Sequence, residues 1–251
     1  MPQESIYYAI GRLSVLQKNT LDASKLERLL QAPTAQDARR ALSELGWNAE
    51  ADYDQMAAAH VENACRVVRE LATDEKMVDC FLLHYDVNNL KMLIKARSLG
   101  QEAENLSLCG IYPVETLRHA VTEHQYRALP ETLASALDEL EKRLAVSLDP
   151  LDIDVTLDRA LYRTIFSWLP AKALAQRRYF IARVDMLNMV IALRVLHMGK
   201  NAAFFADMLL HGGSIDKKAW LKAFEKPEKL PMLLYPYGSK VYQAAIAAQM
   251  D

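Results

Sequence analysis

Hydrophobic residues recur every three or four positions along nearly the whole chain, a spacing that places them on one face of an α-helix. No stretch shows the alternation of Val, Ile and Thr between turn residues that marks a half-buried strand. The pattern therefore predicts an all-α protein. Caps such as Thr34 and stops such as Gly46 set the helix ends. The predicted helices cover residues 5–18, 22–31, 35–45, 54–72, 74–99, 113–124, 130–145, 152–168, 172–198, 202–210 and 216–225.

One motif, Phe-x4-Asp-x2-Asn-x5-[Lys/Arg]-x4-Gly, occurs twice at an offset of 99 residues, beginning at Phe81 and at Phe180. A repeat of this length predicts homologous helical bundles. We expect bundles over 1–105 and 106–205 and part of a third over 206–251, which is shorter than half the period. The polar and glycine positions of the two copies are Asp86, Asn89, Lys95 and Gly100, then Asp185, Asn188, Arg194 and Gly199.

The third bundle is indicated by the loop sequence at 209–215, which is similar to that at 108–112. No third Asp-x2-Asn motif follows it, so we expect this bundle to be incomplete in the chain. The apolar segment 230–237 is interrupted by Pro231 and Pro236. We predict that it lies exposed where the third bundle ends.

Asp86 and Asn89 stand at i and i+3 of a predicted helix, on the same stripe as Leu82 and Leu90. A polar group on this core-facing stripe costs about 1–3 kcal/mol unless it is hydrogen-bonded. We therefore predict a partner such as an unpaired backbone N–H at a helix end, and a structural role that fixes helix register. An alternative is acid–base catalysis at Asp86 or Asp185, which would require an open cleft.

Composition narrows the possible partners. Lys and Arg number 30 against 32 Asp and Glu, so the chain lacks the basic excess that binding to nucleic acid normally demands. The three cysteines, Cys65, Cys80 and Cys109, follow neither a disulfide nor a zinc pattern, and we interpret them as reduced, buried residues. No uninterrupted run of 18 apolar residues occurs, so no membrane span is predicted.

Motifs that carry chemistry are missing from the sequence. Phosphate-binding, dinucleotide-binding and nucleophile-elbow patterns do not occur, and no two histidines are spaced i and i+4. The acidic run from Asp149 to Asp158 lacks the central glycine and closing glutamate of a calcium loop. We expect it to cap and flank the helix that begins near Asp152. The sequence predicts no cofactor, no metal site and no catalytic residue.

The segment from Tyr85 to Arg97 resembles the central-axle subunit of V/A-type rotary ATPases, which is named C in archaeal and bacterial complexes and d in eukaryotic ones. The aromatic-rich opening at 7–13 is similar to the first helix of that family, and the Gly-Gly step at 212–213 to its entry into the third bundle. The resemblance covers the whole chain. It departs from the family in one respect, since the family completes three bundles and this chain completes two.

The resemblance implies that the bundles form a funnel-like array, which acts as a non-catalytic socket. Its base would rest on the membrane proteolipid ring at the cytoplasmic side, and its mouth would receive the rotor shaft of subunits D and F. Further stator or membrane subunits are additional partners of such a socket, and nucleic acid is not. A different hypothesis is a helical-repeat adaptor that binds partner proteins in a groove. The 99-residue period disfavours it, because common helical solenoids repeat every 33–47 residues or so.

Overall fold

The computed structural model describes residues 6–48 and 52–250. No strand occurs among them, which confirms the all-α class. Two 3-10 helices, Pro227–Lys229 and Pro231–Tyr237, stand near the carboxyl end. The α-helices are α1 Ile6–Gln17, α2 Ala23–Leu30, α3 Ala35–Glu44, α4 Tyr53–Leu71, α5 Glu75–Ser98, α6 Val114–Thr122, α7 Glu131–Leu144, α8 Pro150–Trp168, α9 Leu174–His197, α10 Ala202–Met208, α11 Lys217–Phe224 and α12 Ser239–Met250. The predicted start of the first helix at residue 5 lies outside the described residues.

Local signals place the helix ends. Thr34 caps α3 by accepting the backbone N–H of Asp37 at 3.1 Å. Asp149 caps α8, which begins two residues earlier than we predicted because Pro150 fits the first helical position. Gly100 and Gly199 follow α5 and α9 with φ of +64° and +65°. Their amides close Schellman turns, a conformation that favours glycine.

The helices that carry the two motif copies match in length. α5 and α9 both have 24 residues and begin 99 residues apart. The chain falls into two compact units, one formed by residues 1–86 with 105–114 and the other by 87–104 with 115–251. The boundary passes through α5 at Asp86. These units are defined by contacts within the fold, whereas the predicted bundles are defined by a sequence repeat. The predicted bundle boundaries at 105 and 205 therefore stay a prediction.

The first unit is built around α4 and the first half of α5. Met56 and Val67 of α4 and Cys80 and Leu83 of α5 are buried, each three or four helical positions from other apolar residues. An ion pair between Arg12 of α1 and Glu70 of α4, at 3.0 Å, joins the first helix to this core.

In the second unit, α7 packs against α8, its neighbour along the chain. The unit also contains a hydrophobic core to which the C-terminal half of α9, α10, α11, the 3-10 helix Pro231–Tyr237 and α12 contribute. The buried members of this core are Met189, Ala192, Val195, Phe205, Leu209, Trp220, Ala223, Phe224, Leu230, Leu234 and Ala245.

The expectation that segment 230–237 lies exposed is wrong for Leu230, Pro231 and Leu234, whereas Met232 and Tyr235 are exposed. The segment forms a 3-10 helix in which Leu230, Pro231 and Leu234 are buried. Proline is tolerated there because its fixed φ suits a helical turn and the first position needs no N–H donor. The α12 helix that follows was not predicted.

Candidate functional site

The first motif copy places Asp86 in the interior of the first unit, where its side chain is 1% exposed. Its carboxylate accepts the backbone N–H of Ile111 at 2.7 Å and that of Tyr112 at 3.1 Å. These amides lie in the loop before α6, and Pro113, which follows them, has no N–H to offer. Asp86 therefore anchors this loop to α5. We call Asp86, Ile111 and Tyr112 the first clamp.

The second copy repeats this arrangement within the second unit with more donors. Asp185 of α9 is 0% exposed and accepts the backbone N–H groups of Ser214 at 2.8 Å and Ile215 at 3.4 Å. It also accepts the hydroxyl of Ser214 at 2.7 Å and that of Tyr237 at 2.5 Å. The loop stands just before α11. We call Asp185, Ser214, Ile215 and Tyr237 the second clamp.

A glycine precedes the donors in each clamp and lies directly against the carboxylate. A Cβ on Gly110 would lie 2.1 Å from Oδ1 of Asp86, and a Cβ on Gly213 would lie 2.0 Å from Oδ1 of Asp185. Neither glycine has a positive φ, so the requirement comes from space and not from the dihedral angle. Any side chain at either position would displace the loop or the carboxylate.

Asn188, the asparagine of the second motif copy, binds the same loop at Leu210, which precedes the residues of the second clamp. Asn188 is buried, and its Nδ2 donates to the carbonyl of Leu210 at 3.0 Å while its Oδ1 accepts the N–H of Leu210 at 2.9 Å. Both backbone groups of a buried residue are thereby satisfied. Asn89 of the first copy is also buried. In the second copy, aspartate and asparagine side chains three residues apart on one helix therefore fix the loop that leads into the next helix.

Arginine side chains bind carbonyl groups of the same loops. In the first unit Arg69 of α4 donates to the carbonyl of Gly110 at 2.6 Å. In the second unit Arg159 of α8 donates to the carbonyl of Asp207 at 2.7 Å and to that of Leu209 at 3.1 Å. Hydrogen bonds from a charged donor are the stronger kind. Each loop is thus held at N–H groups by a carboxylate and at a carbonyl by a guanidinium.

The basic motif positions differ between the copies. Lys95 pairs with Asp154 of α8 at 2.6 Å, one turn from a second pair between Lys91 and Asp158 at 2.6 Å. Asp154 and Asp158 of the acidic run therefore form ion pairs with α5. We had predicted only that the run caps and flanks a helix. Arg194 is exposed on α9.

The chemistry of the first clamp follows from its burial. Desolvation raises the pKa of Asp86 to about 6, although the amides of Ile111 and Tyr112 and the charge of Arg69 act in the opposite direction. The carboxylate is committed to backbone amides and has no exposed surface on which a substrate could bind. At the second clamp, burial raises the pKa of Tyr237, and its hydrogen bond to Asp185 raises it further.

The structure contradicts the acid–base alternative at these aspartates. That hypothesis needed a cleft in which Asp86 or Asp185 is reachable from solvent, whereas the two side chains are 1% and 0% exposed. The guanidinium of Arg183 donates to the hydroxyls of Tyr162 at 3.2 Å and Tyr179 at 3.3 Å. In the part of the chain that the structure describes, no group of three or more His, Cys, Asp or Glu side chains could hold a metal ion.

Several residues of the clamps were missed by sequence reasoning. The likeness of loop 108–112 to loop 209–215 contained the signal for Gly110 and Gly213, but nothing in it connects a glycine to an aspartate about 25 residues earlier. Tyr237 was missed because its segment was predicted to be exposed. Ser214 was missed as well, and the residue that caps α11 is Asp216.

The α1 helix carries the most exposed apolar side chains of the first unit. Tyr7 is 81% exposed, and Ile6, Ile10 and Val15 are each more than half exposed. No residue of α1 is buried. Several exposed apolar side chains on one helix are a common feature of contact surfaces. No helix among residues 6–48 and 52–250 is long and apolar enough to cross a membrane.

The fold and the two clamps define a class: an all-helical protein whose repeated buried aspartates fix loops between helices. Comparison with known protein families assigns the chain to one of them. Residues 9–242 match the model of the ATP synthase (C/AC39) subunit family. The match extends over nearly the whole chain, and the protein belongs to this family of V-type ATPase subunits.

One curated relative supports the assignment. The chain is 27% identical over 158 residues to the C subunit of the V-type sodium ATPase of Enterococcus hirae. The matched region is 61% of this chain and 48% of the relative, so the chain spans about half the length of that relative. The family consists of subunits of a membrane-associated complex.

Proposed function

We propose that the chain is a non-catalytic subunit of the central stalk of a V/A-type rotary ATPase. It binds the shaft formed by subunits D and F on one side and the membrane proteolipid ring on the other, at the cytoplasmic face. In this position it transmits torque between ATP turnover and the transport of protons or sodium ions. The observation that carries the proposal is the family match over residues 9–242.

The two clamps support a role in transmitting torque. Torque can pass through a linker only if its helices do not slide or separate under load. Asp86 and Asp185 each join a 24-residue helix to the loop that leads into the next helix, through several hydrogen bonds that water does not reach. Buried, fully satisfied polar networks of this kind make a structure rigid.

Binding of the chain to its partners is the first test. The purified chain is immobilised and presented with the D and F shaft pair and, separately, with the detergent-solubilised proteolipid ring. We expect both to be captured at micromolar concentrations or below. An exposed site on α1 gives a matched probe: Tyr7→Ser with Ile10→Ser should weaken capture of one partner. Met232→Ser, a substitution at an exposed apolar residue of the 3-10 helix, is the control.

The outcome separates the proposal from the adaptor hypothesis. Capture of both the shaft pair and the ring supports the socket. Failure of the correctly folded chain to bind either partner contradicts it and favours a helical adaptor. A correct fold is verified beforehand by the helical circular dichroism spectrum and by cooperative unfolding.

A further inference from the structure

A cleft of about 550 Å³ lies within the first unit, between α1 and α4. Ligand sites for small organic molecules have volumes of about 300–1,000 Å³, so the cleft has the size of such a site. Four segments form its walls: the C-terminal half of α1, the turn that follows α1, the turn that follows α3 and the middle of α4. Its apolar lining consists of Leu13, Leu16, Leu45, Ala64, Val67 and Val68.

The lining contains no aspartate, glutamate, lysine or arginine. The charged side chains of α1 and α4 nearby pair with one another instead. Glu70 binds the guanidinium of Arg12 at 3.0 Å and also that of Arg66. An ion that entered the cleft would lose water without gaining an opposite charge, which is costly. The cleft therefore suits an uncharged molecule.

Polar groups on the α4 wall can orient such a molecule. His60 and Asn63 stand at i and i+3, so they share one face of the helix. Oδ1 of Asn63 accepts a hydrogen bond from Arg66 at 2.7 Å, whereas its Nδ2 and the ring nitrogens of His60 have no hydrogen-bond partner among residues 6–48 and 52–250. The indole of Trp47 stacks on the His60 ring with centroids 4.2 Å apart, which fixes the orientation of that ring. The wall thus offers hydrogen-bonding groups that are held in place.

We propose that this cleft binds an uncharged, mainly apolar small molecule that carries one hydrogen-bonding group. The apolar part of the molecule lies against Leu16 of α1 and Val67 of α4, and its polar group faces His60 and Asn63. Mainly apolar walls with a few well-placed polar groups are the usual composition of small-molecule sites. The proposal does not depend on the role of the chain in a rotary ATPase.

A bound molecule would strengthen the attachment of α1. No residue of α1 is buried, and the ion pair between Arg12 and Glu70 joins this helix to α4. A molecule between the two helices would add apolar contacts to both of them. Because it binds the folded chain only, its presence should raise the unfolding temperature in proportion to its occupancy.

The experiment titrates the purified chain with two fluorescent probes that share one ring skeleton and differ in charge. N-phenyl-1-naphthylamine is uncharged, and 1-anilinonaphthalene-8-sulfonate carries a sulfonate on the same rings. We expect the uncharged probe to saturate one site with a dissociation constant of about 10 μM or below. The sulfonate should bind at least about tenfold more weakly, because the lining offers it no positive charge.

Substitutions on α4 locate the site. Ala64→Phe and Val68→Phe each fill the cleft from one exposed lining position and should weaken binding of the uncharged probe at least about tenfold. Ala58→Phe, at an exposed position of α4 outside the cleft, is the matched control and should bind as the unsubstituted chain does. Circular dichroism and cooperative unfolding verify the fold of each variant.

Three results would overturn the proposal. The first is that the uncharged probe shows no saturable binding to the folded chain. The second is that the two probes bind with equal affinity, which would show that the cleft does not select against charge. The third is that Ala64→Phe and Val68→Phe both bind the uncharged probe as tightly as the Ala58→Phe control.

Discussion

The two clamps bind the same kind of loop with different sets of donors. Asp86 accepts two backbone N–H groups, whereas Asp185 accepts two backbone N–H groups and the hydroxyls of Ser214 and Tyr237. Both carboxylates are buried, so the two clamps differ in the number of hydrogen-bond donors that each carboxylate receives. At Asp86 desolvation dominates and raises the pKa. The shared motif therefore fixes the position of the carboxylate, while the segments that follow it decide how many donors it has.

The largest effect is expected from filling the space beside either carboxylate. Gly110→Ala and Gly213→Ala would each place a methyl group about 2 Å from a carboxylate oxygen. We expect each to destabilise the fold by about 3–4 kcal/mol, because a loop must move and leave buried polar groups unpaired. Urea unfolding measures this.

Gly11→Ala is the control for that pair, since nothing lies within 4 Å of its added Cβ and the site is inside α1. It should be neutral or stabilising by about 0.5–1 kcal/mol. If the two clamp variants behave like Gly11→Ala, the close approach of glycine to aspartate does not contribute to stability.

Removing the charge should affect the second clamp more than the first. At pH 7 we expect Asp185→Asn to cost about 3 kcal/mol, because four donors lose a charged acceptor. Asp86→Asn should cost about 1 kcal/mol, since it also relieves the desolvation of a poorly compensated charge. Asp138→Asn, on the exposed side of α7, is the matched control. Equal losses at the two clamps would refute the distinction between them.

The raised pKa of Asp86 predicts a pH dependence of stability. Its folded-state pKa of about 6 lies above the unfolded value of about 3.9, so the folded protein binds the extra proton between these values. Stability from this group therefore falls as pH rises from about 4 to about 6, by about 2 kcal/mol.

The measurement is the difference in unfolding free energy between the unsubstituted chain and Asp86→Asn across this range. Other carboxylates titrate in both proteins and cancel. The advantage of the unsubstituted chain over the variant should shrink as pH rises. An advantage that grows with pH would mean that the pKa of Asp86 is lowered.

The smallest change in stability is expected from removing the Tyr237 hydroxyl, a donor that only the second clamp has. Tyr237→Phe removes the hydroxyl that binds Asp185 and keeps the ring, so we expect a loss of about 1 kcal/mol. Tyr235→Phe, two residues earlier and 61% exposed, should change stability by less than about 0.5 kcal/mol. The two variants are compared by thermal unfolding. If Tyr237→Phe lowers the stability equally in an Asp185→Asn background, the hydroxyl of Tyr237 does not stabilise the fold through Asp185.

The sequence predicts the positions of the helices but not the contacts that the loops make. Helix periodicity and caps placed α1 to α11, because those signals are local. The i and i+3 spacing of Asp86 and Asn89 placed both on the core side of α5. The loop partners of the motif side chains stand more than 20 residues further along, and only tertiary packing brings them together. Tyr237 shows the same limit, since its contact with Asp185 depends on a proline-containing segment folding back into the core.

We propose that this protein links ATP turnover to ion transport without catalysing either. The most direct measurement compares a V/A-type ATPase assembled with and without the chain in sealed vesicles, recording ATP hydrolysis and ion transport in parallel. We predict that hydrolysis persists without the chain while transport is lost, and that adding the chain restores transport. Ion transport that proceeds at the same ratio to hydrolysis in its absence would contradict the account.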